Sequence, residues 1–362
     1  MKLDHPGGRC EIRVAAGALS SAAEDLRPWL AGRTLFVLST PRLRQLHGGA
    51  LEVFDKLAER TVALEVEDGE VAKQLSRAQR LWREMLAAGG KRDSRLLTFG
   101  GGSVGDLGGF VAGCFLRGIG YAQVPTTLLA QVDASVGGKT GVDLPGGKNT
   151  VGLFHHPRWV LSDTSLLTTL PRGELRSGLV EVVKMAALLD PPLLDRVEER
   201  LDALLAGDAA ALGPVVAAAA AAKCAVVERD PAEGDWRRIL NFGHTLGHAI
   251  EGALAFRHLR HGEAVAYGML FASRLAAARR RPGFDPGLGD RLRRLLQRFD
   301  LPPLPDLDAG ELLGFMTRDK KATEDGLVWV LPRALGHGEM VSGIAADEVA
   351  EVLAVFLEDP WA

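Results

Sequence analysis

Three apolar runs mark the first third of the chain: Thr34 to Thr40 (TLFVLST), Thr61 to Glu67 (TVALEVE) and Arg95 to Gly102 (RLLTFGGG). Each is short and rich in β-branched or aromatic residues, so each predicts a buried strand. Between the last two, Val71, Leu75, Ala78, Trp82 and Met85 recur at intervals of three and four, which predicts a helix ending at Gly89 and Gly90. Strand, helix, then strand running into glycines is the grammar of a Rossmann-like parallel α/β sheet with a nucleotide at its edge. Beyond about Leu170 the pattern changes. LPRGELRSGLVEVVKMAALL, an alanine-rich block and GDRLRRLLQRFDL all carry helical periodicity, and strand signal returns only at Leu327 to Pro332 (LVWVLP), which predicts a small hairpin. The expected organisation is an α/β domain over residues 1–170 and a mostly α-helical domain over residues 171–362, with ligands in the cleft between them.

Length agrees with this, because 362 residues exceed what one core usually supports. A composition of 47% hydrophobic and 25% charged residues is that of a globular protein. The formal charge of −3 supplies no global attraction to nucleic acid or to an anionic membrane, so any anion must be held by a local cluster of cations. Cys10, Cys114 and Cys224 are odd in number and scattered, which argues against a disulfide framework or a cysteine-rich metal site. Cys114 sits among apolar neighbours and is expected to be a small buried hydrophobe. The opening MKLDHPGGRC lacks the apolar run of a signal peptide, and the alanine block Ala217 to Ala222 is too short to span a bilayer. A cytoplasmic location is the expectation.

The densest chemistry lies in NFGHTLGHAIE, Asn241 to Glu251, followed by His261 in RHGEAVAYGM. His244 and His248 are at i, i+4 and share a helix face, within reach of His261 from a neighbouring element. Two imidazoles and one carboxylate would make an open zinc site, while the bland reading is a helix with surface histidines. Gly243 and Gly247 suit close approach of either a backbone or a ligand.

Other motifs bear on anions. GGGSVGD, Gly100 to Asp106, follows a predicted strand and would let backbone amides face a pyrophosphate, although it is not GxGxxG and a tight turn is the plain alternative. From Arg117 to Gly152 the chain holds Arg117, Asp133, Lys139, Lys148 and Asn149 among glycines, threonines and apolar residues. Lysines in such a stretch are better explained as phosphate ligands than as a solvated face. Thr126 and Thr127 fit either a ribose contact or plain strand propensity. Glu181 and Lys184 at i, i+3 read as a surface ion pair or as a metal ligand beside a substrate cation. Lys223, Arg237, Lys320 and Lys321 are further cations, each more often surface than site.

Taken together these residues resemble the 3-dehydroquinate synthase family of the sugar-phosphate cyclases. DGEVAK, GGGSVGD, RGIGYAQVPTTLLAQVDASVGGKTG, GKN, EVVK, LNFGHTLGHAIE and HGEAVAYGM occur in order from Asp68 to the Asp319–Lys321 segment, most of the chain. The resemblance implies an NAD-binding α/β domain, a helical second domain, a homodimer and one divalent metal, usually zinc with cobalt as a substitute. It implies that Glu181, His244 and His261 hold the metal and that His248 contacts the substrate phosphate. Lys139, Asn149, Lys184, Asn241 and Lys321 would bind substrate, Lys223 and Arg237 its carboxylate, and Arg117 would act on the partner's site. Asp68, Glu70, Lys73, Gly101, Gly102, Ser103, Val104, Gly105, Asp106, Thr126, Thr127, Asp133, Lys139, Lys148 and Thr169 fall where the family contacts NAD. Glu233 is a candidate near the substrate, with an exposed loop as its alternative. There are departures: Thr40 stands where many members have Asp or Asn, Ser103 and Trp236 replace hydrophobes, and Gly109 and Gly113 suggest a looser segment after GGGSVGD.

The implied reaction, in the shikimate pathway of aromatic amino acid biosynthesis, converts 3-deoxy-D-arabino-heptulosonate 7-phosphate to 3-dehydroquinate and phosphate. Transient oxidation acidifies a neighbouring C–H, phosphate leaves, hydride returns, and the opened ring closes by an aldol step. NAD is regenerated and acts as a bound cofactor. A phosphate dianion needs a cation cluster and a carboxylate needs a fork-shaped donor, and both sets are present. The substrate's own phosphate is a candidate elimination base, since no carboxylate stands out for that role. The competing readings are a cyclase acting on an aminated or carboxylate-free sugar phosphate, a metal-dependent NAD alcohol or glycerol dehydrogenase, and a degenerate binding subunit.

Overall fold

The computed structural model of the chain describes residues 1–145, 147–279, 283–318 and 327–362, arranged in two compact units. The first comprises Met1–Pro171 and Gly207–Ala232, the second Arg172–Ala206 and Glu233–Ala362. The chain therefore leaves the first unit near the expected boundary at residue 170 but returns to it once. The returning segment is the alanine-rich helix. A single boundary misses it, because alanine periodicity carries no information about which core a helix will join.

A seven-stranded sheet forms the first unit, in the order β1 (Lys2–His5), β2 (Gly8–Ala15), β9 (Trp159–Asp163), β6 (Gly120–Pro125), β5 (Arg95–Gly100), β3 (Thr34–Ser39), β4 (Arg60–Glu65). Only β1 and β2 pair antiparallel within it. Successive side chains of a strand face opposite sides. Phe36, Leu38 and Leu96 pack beneath α4 (Leu75–Ala87) and α5 (Gly102–Cys114). Leu35, Val37 and Phe99 face α1 (Ala18–Ser21), α2 (Ala23–Leu30) and α3 (Pro41–Asp55). Strands covered on both sides must be apolar throughout, which is why β3 and β5 read as continuous runs. The strand β4, expected to be buried, is instead a half-exposed edge. From β3 the chain moves outward to β4 and returns through α4 to β5, so the order reverses between β3 and β5. Ligands of open α/β sheets bind outside the strand ends at such a switch point, and here the glycine turn after β5 lies at it.

Several sequence expectations shift. Val71 is exposed and belongs to a 3-10 turn (Glu70–Ala72), because extended Gln74 bridges to Asp143 and delays the helix to Leu75. Asp143 lies in β7 (Lys139–Leu144), which forms an antiparallel hairpin with β8 (Gly147–Phe154). Cys114 is exposed at the end of α5, whereas Cys10 and Cys224 are buried with Leu3, Ile12, Val136, Val160 and Val227. Gly109 and Gly113 do not loosen α5. A Cβ on Gly109 would lie 2.3 Å from Thr140 Cγ2, and one on Gly113 2.5 Å from Leu153 Cδ1, so both let the helix sit directly on the hairpin.

Helices α6 (Arg172–Leu189) and α7 (Pro191–Leu205) belong to the second unit, and α8 (Ala209–Arg229) to the first. By length and composition α8 could cross a bilayer, which the short alanine block understated. It buries Leu212, Val215, Val216, Ala219 and Val227 together with Lys223, the signature of a core helix. The second unit adds α9 (His244–Ala253), α10 (His261–Ala278), α11 (Pro286–Gln297), α12 (Ala309–Arg318), α13 (Ala346–Glu358) and the predicted hairpin, β10 (Trp329–Ala334) with β11 (His337–Val341). At its centre α10 packs against α6, α9, α11, α13 and β10, and is buried along most of its length.

Candidate active site

Glycines bring the histidine helices together. Gly243, at φ 78°, starts α9 in a left-handed conformation that a side chain would strain. A Cβ on Gly268 would lie 1.8 Å from Gly243 O, and one on Gly247 3.1 Å from Val265 Cα, so α9 and α10 touch backbone to backbone. The close approach left open between backbone and ligand is therefore to backbone. The first turn of α10 is likewise docked on α6. A Cβ on Gly262 would lie 2.1 Å from Ser177 O, and Gly262 N donates to Ser177 Oγ at 2.9 Å. Arg176 donates to buried Glu263 Oε1 from Nε at 3.1 Å and Nη2 at 2.6 Å, while Glu263 Oε2 accepts from Arg260 N at 2.8 Å. Gly268→Ala is expected to destabilise the protein by about 1–3 kcal/mol through overpacking, and thermal unfolding of the variant checks it.

This packing sets Glu181 of α6 between two imidazoles. Its Oε1 lies 3.9 Å from His244 Nε2 and 3.6 Å from His261 Nε2, and all three donor atoms fall within 4.8 Å of one another. Glu181 is fully buried; Lys184, also buried, forms an ion pair with Oε2, and among the described residues Oε1 has no hydrogen-bond donor. That pair is not the surface pair of the bland reading. Lys184 balances Oε2, but Oε1 faces the two imidazoles without a donor, and two histidines with one glutamate are an open zinc donor set. His244 Nδ1 donates to Phe242 O at 3.1 Å, which leaves Nε2 unprotonated toward Glu181. Burial, reinforced by the charges of Lys184, His248 and His261, holds His244 well below the usual imidazole range, so the ring is neutral as a ligand must be. Burial also presses His261 down, but its bond to Glu251 and the charge of Glu181 outweigh this and the net shift is upward.

His248 is exposed, with its ring centroid 5.2 Å from that of His244 and 5.9 Å from that of His261. A second donor set, His248, Glu251 and His261, is also compact. Its carboxylate already accepts from His261 Nδ1 at 3.2 Å, so the set containing the donor-poor Glu181 fits a cation better.

In the first unit the glycine turn is surrounded by charge. Gly101 caps α5 without a side-chain bond, leaving the first amides of the helix to an anion. A Cβ on Gly101 would approach Thr127 Cγ2 to 3.1 Å, one on Gly102 would approach Ala134 Cβ to 3.2 Å, and one on Gly105 would approach Gln123 Oε1 to 2.7 Å. Val104 is buried, and Thr126, also buried, donates its N–H to Gly100 O at 2.9 Å. Lys73 is buried against Asp106 Oδ2 at 2.9 Å and Glu70 Oε1 at 3.6 Å, and it also donates to Asn149. Ser103 Oγ donates to Glu70 Oε2 at 2.7 Å, and Lys148 lies 3.8 Å from Glu70 Oε1. Burial would raise Glu70, but Lys73, Ser103 and Lys148 reverse the shift and keep it below the usual carboxylate range.

The expected residues thus divide. Asn149, expected with the substrate residues, joins the charged group around Lys73. Lys223 is buried in an ion pair with Asp133, both in the first unit, and Arg237 is buried in the second, so neither cation is the surface residue its type suggests. Asn241 is exposed at the end of a 3-10 turn (Trp236–Asn241), and Lys139 and Asp68 are exposed in the first unit. Thr169 is exposed and its Oγ1 lies 2.7 Å from His47 Nε2. Thr40, at the ribose position in doubt, is buried and caps Leu43 N of α3 at 3.3 Å. Lys320 and Lys321 lie outside the described residues. Arg117, Asn149 and Glu233 have positive φ (65°, 52° and 58°), but so do Leu116, Ala255, Phe256 and Asp300, so the conformation does not single them out. Two residues went unread in the sequence. His47 carried no signal, but Glu251 sits at i+7 from His244 on the same helix face, a spacing that could have found it.

The class follows from solved structures. A 2-deoxy-scyllo-inosose synthase, crystallised with carbaglucose-6-phosphate, NAD+ and Co2+, matches with a TM-score of 0.86 at 26% identity, covering 98% of each chain. A 2-epi-5-epi-valiolone synthase from Streptomyces hygroscopicus subsp. jinggangensis 5008, with NAD+ and Zn2+, matches at 0.86 and 27% identity over 96% of each chain. The fold is that of the sugar-phosphate cyclases. Within them, the N-terminal 3-dehydroquinate synthase family matches residues 63–177 and the C-terminal one residues 178–322. The 3-dehydroquinate synthase of Symbiobacterium thermophilum is 43% identical over 347 residues, 94% of this chain and 96% of that one. The chain belongs to the 3-dehydroquinate synthase family.

Proposed function

We propose that the chain converts 3-deoxy-D-arabino-heptulosonate 7-phosphate to 3-dehydroquinate and inorganic phosphate, with bound NAD and one divalent ion, zinc or cobalt. The observation that carries this reading is buried Glu181, paired with Lys184 through Oε2 while Oε1 faces two imidazole Nε2 atoms. When bound, NAD supplies reversible hydride transfer and the ion supplies Lewis acidity. Glu181, His244 and His261 hold the ion. Lys184 stands next to it as a fixed cation for developing negative charge on the substrate. The family resemblance supports Lys139, Lys184 and Lys321 with His248 as phosphate ligands, Asn241 as a further substrate residue, and Lys223 and Arg237 as the carboxylate pair.

Glycines 101, 102 and 105 admit the pyrophosphate to the amides of α5, while Ser103, Val104, Asp106, Thr126, Thr127, Asp133, Lys139, Lys148 and Thr169 complete the dinucleotide site with Asp68, Glu70 and Lys73. Asn149 joins this group through Lys73. The reading extends to a cytoplasmic homodimer in which Arg117, exposed on a left-handed turn, serves the partner's site, and Glu233 lies near the substrate.

Incubation with the heptulosonate phosphate, NAD and zinc is expected to release phosphate and form dehydroquinate without net NADH. Sustained NADH production from a simple alcohol would instead favour a dehydrogenase, and turnover of a carboxylate-free sugar phosphate another cyclase. Arg237→Ala is expected to raise KM roughly 10- to 100-fold, the loss of a charge-assisted hydrogen bond of about 1.5–3 kcal/mol, with metal content unchanged. An unaltered KM would count against the carboxylate role.

A further inference from the structure

We infer that Glu251 is a positioning residue for the metal centre: it fixes the His261 tautomer and ring plane, and is not itself a ligand. This rests on the reading that Glu181, His244 and His261 hold the ion. The two histidines face the same glutamate oxygen through Nε2, yet they are oriented differently. His244 gives its Nδ1 proton to a neutral acceptor two residues away, Phe242 O at 3.1 Å. His261 instead gives Nδ1 to a carboxylate on another helix, Glu251 Oε2 of α9 at 3.2 Å. Its side chain is also the more open of the two, 29% exposed against 11% for His244, so packing constrains it less.

Glu251 is 8% exposed, which keeps its carboxylate from bulk solvent where the bond would be weak. A carboxylate accepting from one imidazole nitrogen leaves the other unprotonated, raises its basicity and holds the ring in plane. Because Glu251 follows His244 by two helical turns, α9 delivers one donor and also orients the donor supplied by α10. The alternative is that Glu251 is a ligand in the set with His248 and His261.

Zinc dissociation constants of the full chain, measured by chelator competition, separate these roles. Glu251→Ala is expected to weaken zinc roughly 10- to 100-fold, the usual effect of losing such an orienting partner, while a single ion still binds at saturation. Glu251→Gln keeps an acceptor oxygen but loses the charge, so it should fall between wild type and Glu251→Ala with an unchanged unfolding temperature of the metal-free protein. That combination excludes a merely structural role. Wild-type affinity in Glu251→Gln and Glu251→Ala would overturn the inference. So would complete loss of zinc in Glu251→Gln with retention in Glu181→Gln, which would make Glu251 a ligand. If the wild-type chain binds no zinc, the underlying assignment of the ion fails and this inference fails with it.

Discussion

Glu181→Gln is expected to abolish stoichiometric zinc binding and to lower phosphate release by about three orders of magnitude, roughly 4 kcal/mol of transition-state stabilisation. The substitution preserves volume in a fully buried position, so the effect is one of charge and donor strength. It removes the carboxylate placed 3.6 Å and 3.9 Å from the two imidazole Nε2 atoms. It also takes the counter-charge from Lys184, a buried ammonium ion-paired with Glu181. Elemental analysis after dialysis, with a phosphate-release assay on the same sample, checks both halves. Full zinc occupancy in the variant would remove Glu181 from the ligand set.

Arg176→Met is expected to cost about 3 kcal/mol of stability, at the low end of what breaking a buried ion pair costs. Glu263 is fully buried and takes two bonds from Arg176 on one oxygen. The low end applies because Arg260 Nη1, 3.6 Å away, still offers partial compensation. Zinc affinity should fall as well, since the same glutamate ties the first turn of α10, and hence His261, to α6. Chemical denaturation of the metal-free variant measures the first effect. A loss below about 1 kcal/mol, the value of an exposed pair, would mean that Glu263 does not depend on Arg176.

Much of this was legible in one dimension because the relevant signals are local. The runs TLFVLS and RLLTFG announce strands covered on both faces, and the glycines after the second announce a turn into a helix, since both properties follow from a few consecutive side chains. Local signals also misled where a long-range contact won. The Gln74–Asp143 bridge shortened α4 and left Val71 in solvent, and Cys114 ended on the exposed side of a helix that is otherwise buried. Gly109 and Gly113 looked like slack because a missing side chain reads the same whether it leaves space or removes a clash. Only the hairpin residues Thr140 and Leu153 show which.

By itself the chain determined the fold class, the glycine turn, the pool of candidate donors and, through its ordered motifs, the family. Residue type and spacing suffice for these, since periodicity selects elements and functional groups define chemistry. The tertiary structure decided how that pool is divided. It returned α8 to the first unit, moved Asn149 to the charges around Lys73, paired Lys223 with Asp133, and set Glu251 behind His261. The last of these depends on a 3.2 Å contact between two helices, a distance set by their backbone-to-backbone packing at Gly243, Gly247 and Gly268, which residue type and spacing do not encode.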